Sequence, residues 1–263
     1  TGGIAGGASS SSVISMCGNT AGITSTLKRT GGISGSLDGT IEKSFNTGNI
    51  TGIYGVGGIL GDSAGKSSTV ESCYNSGSIK GISPVNDFND TNAKGIGGIA
   101  GGVSGVSYSL DVKQCYNTGN VSKDTNVSDV TCGGVIGNSS GKNYSGTSTT
   151  GLAKAESCYY LESACDQGDG YSQDTKGISS KTSGEMKSAD FAAELGGNFA
   201  VDPDGGMPIL GWQDPNSQYT VKFILNPAEA HLTVKDSAEK IVDPSEGDSN
   251  IYSLKNGNYS YTV

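Results

Sequence analysis

The chain has 263 residues, a net charge of −9, 33% apolar residues, only 16% charged ones and 43 glycines. The acidic balance excludes a nucleic-acid surface, which needs a basic face, and disfavours anionic lipid. No apolar run approaches the ~18 residues of a membrane span. The polar, uncharged composition would also suit a disordered linker, but regularly placed Ile, Val, Cys and Tyr argue against one.

Two short segments alternate from the first residues onward. Gly2-Gly3-Ile4-Ala5-Gly6 is followed by Cys17-Gly18-Asn19-Thr20-Ala21-Gly22-Ile23, and Gly31-Gly32-Ile33-Ser34-Gly35 by Ser44-Phe45-Asn46-Thr47-Gly48-Asn49-Ile50. Gly57-Gly58-Ile59-Leu60-Gly61 precedes Cys73-Tyr74-Asn75-Ser76-Gly77-Ser78-Ile79, and Gly97-Gly98-Ile99-Ala100-Gly101 precedes Cys115-Tyr116-Asn117-Thr118-Gly119-Asn120-Val121. Gly133-Gly134-Val135-Ile136-Gly137 and a degraded Cys158-Tyr159-Tyr160-Leu161 close the series. The copies start at 2, 31, 57, 97 and 133, in steps of 29, 26, 40 and 36. Self-similarity in this range is the mark of a solenoid or array.

The apolar content of each copy is arranged for strands. In Cys-Tyr-Asn-Thr-Gly-Asn-Val the Cys, Asn, Gly and Val share one parity, and no copy holds a helical apolar face. One copy cannot bury its few apolar groups, whereas stacked copies share a continuous core. Adjacent coils would lie about 4.8 Å apart. Asn tolerates the left-handed region, so Asn-Thr-Gly reads as a corner. Corner loops, 82–94 in one copy and 123–130 in another, absorb the uneven steps. Thr1 opens inside a repeat, so the chain reads as a fragment without its targeting segments, with an uncovered edge at its first coil.

The alternating pattern resembles the GLUG-motif repeats of bacterial surface proteins, found also beside the catalytic part of some immunoglobulin A-cleaving metallopeptidases. The resemblance covers roughly 1–212. It implies an all-β parallel β-helix, or β-solenoid, an extracellular location at the bacterial cell surface, and no catalytic residue in the repeat. The first copy departs from the pattern at Gly18, where later copies carry an aromatic, so an irregular first coil is expected.

Cys17, Cys73, Cys115 and Cys158 share one repeat position, and Ser44 fills it in the remaining copy. Replacement by Ser points to a small core filler rather than a disulfide framework or metal ladder. One His and no Cys-x-x-Cys argue against zinc. A bridge between Cys158 and Cys165 across a short loop stays open.

Past Leu161, residues 162–180 read as a closing loop. Thr182-Ser183-Gly184-Glu185 has the form of a capping box. Met186, Phe191 and Leu195 follow at near-helical spacing, with Gly196-Gly197 as a stop. This predicts one helix over about 183–195. A final strand is expected over about 207–212, in Met207-Pro208-Ile209-Leu210-Gly211-Trp212. Helix and strand are expected to cap the open end of the solenoid; GLUG repeats are similarly followed by such a helix and a Pro-Ile-Leu-x-Trp segment.

A turn cluster at Asp214-Pro215-Asn216-Ser217 divides the chain into 1–216 and 217–263. Strands are expected at 219–225, 230–235, 251–254 and 258–263, with Asn226-Pro227 joining the first two and Asn256-Gly257 forming a hairpin between the last two. This segment resembles the immunoglobulin-like or PEGA-type β-sandwich modules of bacterial surface proteins. It covers about half of the ~100 residues of a full sandwich, and so reads as incomplete.

Candidate chemistry is sparse. Gly61-Asp62-Ser63-Ala64-Gly65 superficially resembles a protease nucleophile loop, but the single His, His231, falls in the other module. Ser25-Thr26-Leu27-Lys28 fits Ser-x-x-Lys without a supporting helix. No glycine segment has the spacing of a phosphate loop. Asp202-Pro203-Asp204-Gly205 and Asp166-Gln167-Gly168-Asp169 read as solvated turns, with calcium binding left open. The reading names no catalytic residue, no metal and no cofactor. It expects a monomeric, non-catalytic structural or adhesive segment that spaces or presents binding surfaces towards host or glycan ligands. The alternatives are an accessory region of a larger extracellular enzyme, such as a metallopeptidase, or a carbohydrate-active β-helix with two carboxylates across a groove.

Overall fold

The computed structural model of the chain describes residues 1–82, 95–103, 107–125, 130–140, 152–171, 176–225, 231–245 and 248–263. Most of the two expected corner loops and Asn226-Pro227 lie outside the described residues. The fold is nearly all β. Among the described residues its helical parts are Ser183–Met186 (α1), Ala189–Glu194 (α2) and one 3-10 turn, Gly211–Gln213.

Within the repeats every strand pairing is parallel, and each strand lies beside its counterpart in the next copy. Tyr74 sits between Phe45 and Tyr116, and Asn75 between Asn46 and Asn117. Ile79 sits between Ile50 and Val121, Ile96 between Val56 and Cys132, and Val70 between Ile41 and Val112. Ile33, Ile59, Ile99 and Val135, the apolar residues of the Gly-Gly-Ile segments, are fully buried. Each contributes roughly 1.5–3 kcal/mol of transfer free energy. Ile4 of the first copy is 48% exposed, because among the described residues no layer lies outside it.

The corners differ from the expectation. Their left-handed residues are Met16, Lys43, Ser72, Gln114 and Ser157, with φ between 48° and 53°, and not the asparagines. Each immediately precedes the Cys/Ser position. That side chain donates back across the corner to the carbonyl two residues earlier: Ser44 Oγ to Glu42 at 2.7 Å, Cys73 Sγ to Glu71 at 3.2 Å, Cys115 Sγ to Lys113 at 3.0 Å. A short donor is what the corner requires, which explains why Cys and Ser interchange. Strain of about 1–3 kcal/mol per left-handed non-glycine residue is offset locally in this way. All six cysteines are free thiols, so Cys158 and Cys165 are not bridged.

The asparagines point inward instead. Asn19, Asn46, Asn75 and Asn117 are buried. Each Nδ2 donates to the Oδ1 of the next at 2.7 Å, from Asn19 through Asn46 and Asn75 to Asn117. The other N–H reaches the carbonyl two residues on, as Asn75 does to Gly77 at 2.8 Å. Facing Asn46, Asn75 and Asn117 are the second glycines of the same copies, Gly32, Gly58 and Gly98, where any Cβ would collide with the amide. The two halves of the repeat are therefore one packing unit. In the last copy Tyr160 replaces the asparagine, and Gly134 faces its ring. Gly18 serves a related purpose: the Phe45 ring lies over it, and its strand pairs in register with the next copy. The irregularity of the first copy is instead a register shift between Ala8 and Ser12.

After Leu161 the chain crosses the end of the stack. Val121 N–H donates to the Ala164 carbonyl, Gly134 to Gln167 and Val135 to Gly168, at 2.7–2.9 Å. Ile178–Lys181 then pairs in parallel with Cys158–Leu161. The described residues of 163–171 and 176–181 thus cover this end, not the helices. The capping box at Thr182 and Glu185 is present, with Thr182 N–H donating to the Glu185 carboxylate at 2.7 Å. The single expected helix is broken at Ser188, whose backbone is extended and whose side-chain Oγ makes a second N-cap, accepting Phe191 N–H at 3.1 Å. Gly196, at φ 90°, ends α2 as expected. The expected 207–212 strand is reduced to Ile209–Leu210, paired antiparallel with Phe199–Ala200, before the 3-10 turn.

Beyond residue 217 two small antiparallel sheets form around a separate cluster of Val234, Tyr252 and Leu254. Gln218–Lys222 pairs with Ile251–Lys255, while Thr233–Lys235 lies between Ile241–Val242 and Ser260–Thr262. Asn256-Gly257 is therefore a crossing between sheets and not a hairpin. Its Asn256 is held by Nδ2 donating to the Trp212 carbonyl at 2.9 Å.

Candidate functional site

The residues weighed for chemistry are not brought together. Asp62 is buried beside Arg29, with Oδ2 3.2 Å from Nε. Ser63 donates to the Ser109 carbonyl at 3.0 Å inside the stack. His231 lies in the second cluster's part of the chain, next to Thr233–Lys235. Ser25 sits in a turn beside Thr1, their hydroxyls 3.2 Å apart. Asp202 and Asp169 close their own turns, accepting the N–H of Asp204 and Tyr171 at 3.0 Å. Among the described residues no three His, Cys, Asp or Glu side chains are grouped to hold a metal.

Two larger features remain. The first is an aromatic row on the flank. Residues one step beyond each Cys/Ser position point outward, so register stacks them: Phe45 on Tyr74 at 5.4 Å and 11°, Tyr74 on Tyr116 at 5.2 Å and 6°. The strap formed by 182–213 runs back over this row. Phe191 meets Tyr116 and Tyr159 edge-on, with centroids 5.9 and 5.1 Å away. Trp212 lies against Phe45 at 5.8 Å and donates its indole N–H to the Lys43 carbonyl at 2.8 Å. The Tyr116 hydroxyl donates to Pro208. Burial raises the Tyr74 hydroxyl's pKa, and raises that of Tyr116 well above the usual phenol value.

The second feature is a cavity of about 580 Å³ at the covered end of the stack. It opens between Val121–Lys123, Thr131–Gly133 and the segment 163–170. Polar groups of Asn120, Lys123, Thr131 and Gln167 line it, together with the thiols of Cys132 and Cys165. Burial pushes Cys132 up to about 11 and Cys165 upward too, so both are protonated at neutral pH and neither is a ready nucleophile.

No family model matches the chain, and no curated protein matches it. A solved structure does: the crystal structure of a candidate immunoglobulin A1 protease from Bacteroides ovatus. The two are 19% identical with a TM-score of 0.47, over 73% of this chain and 54% of that one. This chain spans about half the length of that protein.

The aromatic row and the inward asparagines were both open to sequence reasoning through the parity of Cys-Tyr-Asn. The pairing of each asparagine with a glycine across the copy carried no separate signal, since Gly134 stays glycine where Tyr160 replaces the asparagine. The cavity carried none, because it is made where two distant segments meet.

Proposed function

We propose that residues 1–216 form a parallel β-helix of the GLUG-repeat type and that 217–263 form an incomplete immunoglobulin-like module. The chain then serves as a non-catalytic structural or adhesive segment of a secreted or surface-anchored bacterial protein. The observation that carries this reading is the inward asparagine row with its facing glycines. It engages the repeat's buried amides in holding one layer on the next.

What such a stack presents is its outer ladders. Thr24, Thr51, Lys80 and Ser122 stand in register on adjacent strands. Hydroxyls and an amine at strand spacing suit hydrogen bonding to a glycan. Binding to a glycan array, weakened by Thr51→Ala with Lys80→Ala, is the expected result; no binding to any glycan would sink the adhesive reading. Incubation with immunoglobulin A1 should leave it intact, and a cleaved heavy chain would place catalysis in this chain.

A further inference from the structure

The six cysteines fall into two groups. Cys17, half-buried in the first copy, belongs with the corner positions, its thiol donating to the Ser15 carbonyl at 3.3 Å. Cys73, Cys115 and Cys158 are fully buried, each thiol donating to a carbonyl. Cys132 and Cys165 are only partly buried, line the same cavity and pack against the same apolar cluster of Ile96, Val121 and Val130. Cys132 takes the interior position that Val56 and Ile96 hold in earlier copies. Cys165 follows Ala164, whose carbonyl accepts from Val121, and Gln167 Nε2 donates to the Cys132 carbonyl at 3.4 Å. Cys165 therefore lies beyond Val121, on the strand position neighbouring that of Cys132, and the segment carrying it goes on through Gln167 to the strand of Cys132.

We propose that Cys132 and Cys165 join as a disulfide when the chain meets a small-molecule disulfide oxidant such as oxidised glutathione. One thiolate attacks a glutathione sulfur, forming a mixed disulfide and releasing one glutathione thiolate. The second protein thiolate attacks the protein sulfur of that mixed disulfide, forming the internal bond and releasing the other glutathione. Two electrons pass from the protein thiols to glutathione, and the two thiol protons end on the released glutathiones. Because burial raises the proton affinity of both thiols, the step is slow at neutrality and quickens as rising pH increases the thiolate fraction. The bond fastens the covering segment to the last full layer, where an opened edge would otherwise expose unpaired strands.

The test is to treat the intact chain with oxidised glutathione, alkylate the remaining thiols after unfolding, and map the non-reduced peptides. Two of the six thiols should be lost to alkylation, and one linked peptide pair should contain Cys132 and Cys165. Cys132→Ser and Cys165→Ser should each abolish that pair, while Cys158→Ser should keep it. A link from Cys165 to Cys158, glutathione retained on either cysteine without an internal link, or six thiols still alkylated would each overturn the proposal.

Discussion

Asn75 donates from Nδ2 to Oδ1 of Asn117 at 2.7 Å inside the stack, and Gly58 stands opposite with no room for a Cβ. Asn46 and Asn75, the inner members of the row, each both receive and give, so the two neighbours of each depend on it. Replacing Asn75 with Ala should lower unfolding free energy by about 1–3 kcal/mol, the cost of leaving buried groups unpaired. Gly58→Ala should cost a similar ~1–3 kcal/mol through overpacking. Urea titration of the two variants and of the pair checks this. Because the sites touch, the double variant should depart from additivity.

The corner thiols give a different expectation. Cys115→Ser keeps a short donor for the Lys113 carbonyl and should cost on the order of 1 kcal/mol. Cys115→Val keeps apolar bulk but removes the donor and should cost more. Mild reducing agent should leave the fold unchanged, since all six thiols are free; unfolding on reduction would refute the reading of these positions.

The strap should be removable only at a cost to solubility. Deleting 182–263 uncovers Phe45, Tyr74, Tyr116 and Tyr159 together, an apolar stripe that should drive aggregation. Deleting 217–263 leaves Phe191 and Trp212 in place and should leave a soluble monomer. Phe191→Ala, at about 3–5 kcal/mol for a buried phenylalanine, should free the strap to protease while the stack stays folded. Size-exclusion profiles and limited proteolysis report all three.

Alkaline pH should act through the same row. Burial raises the Tyr74 and Tyr116 hydroxyls above the usual phenol value. Their folded pKa exceeds the unfolded one, so the stability they contribute is complete below about pH 10. It falls as pH rises from the unfolded pKa through the folded one. Spectrophotometric titration should show these phenols ionising only with unfolding, and Tyr116→Phe should shift the alkaline midpoint upward.

Much of this was legible in the sequence. The repeat phase placed Ile33, Ile59 and Ile99 in the core, and the shared parity of Cys115, Asn117 and Val121 put them on one buried face. Thr182 and Glu185 announced a helix start, since a capping box is local chemistry. What failed was not local. Asn46 has the conformational habits of a corner residue, but a facing Gly32 made burial the better use of its amide. Ser188 looked like helix interior, until its hydroxyl found Phe191 N–H. The strap was read as an end cap because the sequence gives apolar spacing and not direction; stacked aromatics on the flank offered a larger surface. Asn256-Gly257 has hairpin composition, yet its flanking strands take partners in different sheets.

The return of the strap sets the path of mechanical load. The layers advance from Thr1 to Leu161, and the chain then travels back to Trp212 against Lys43, in the second copy. Thr1 is itself bonded to Arg29 at the boundary of the first and second copies. A pull between residue 1 and residue 213 is therefore resisted near one end of the stack, and the later layers stand outside the line of tension. The outer ladders of those later layers would keep their places under such a pull.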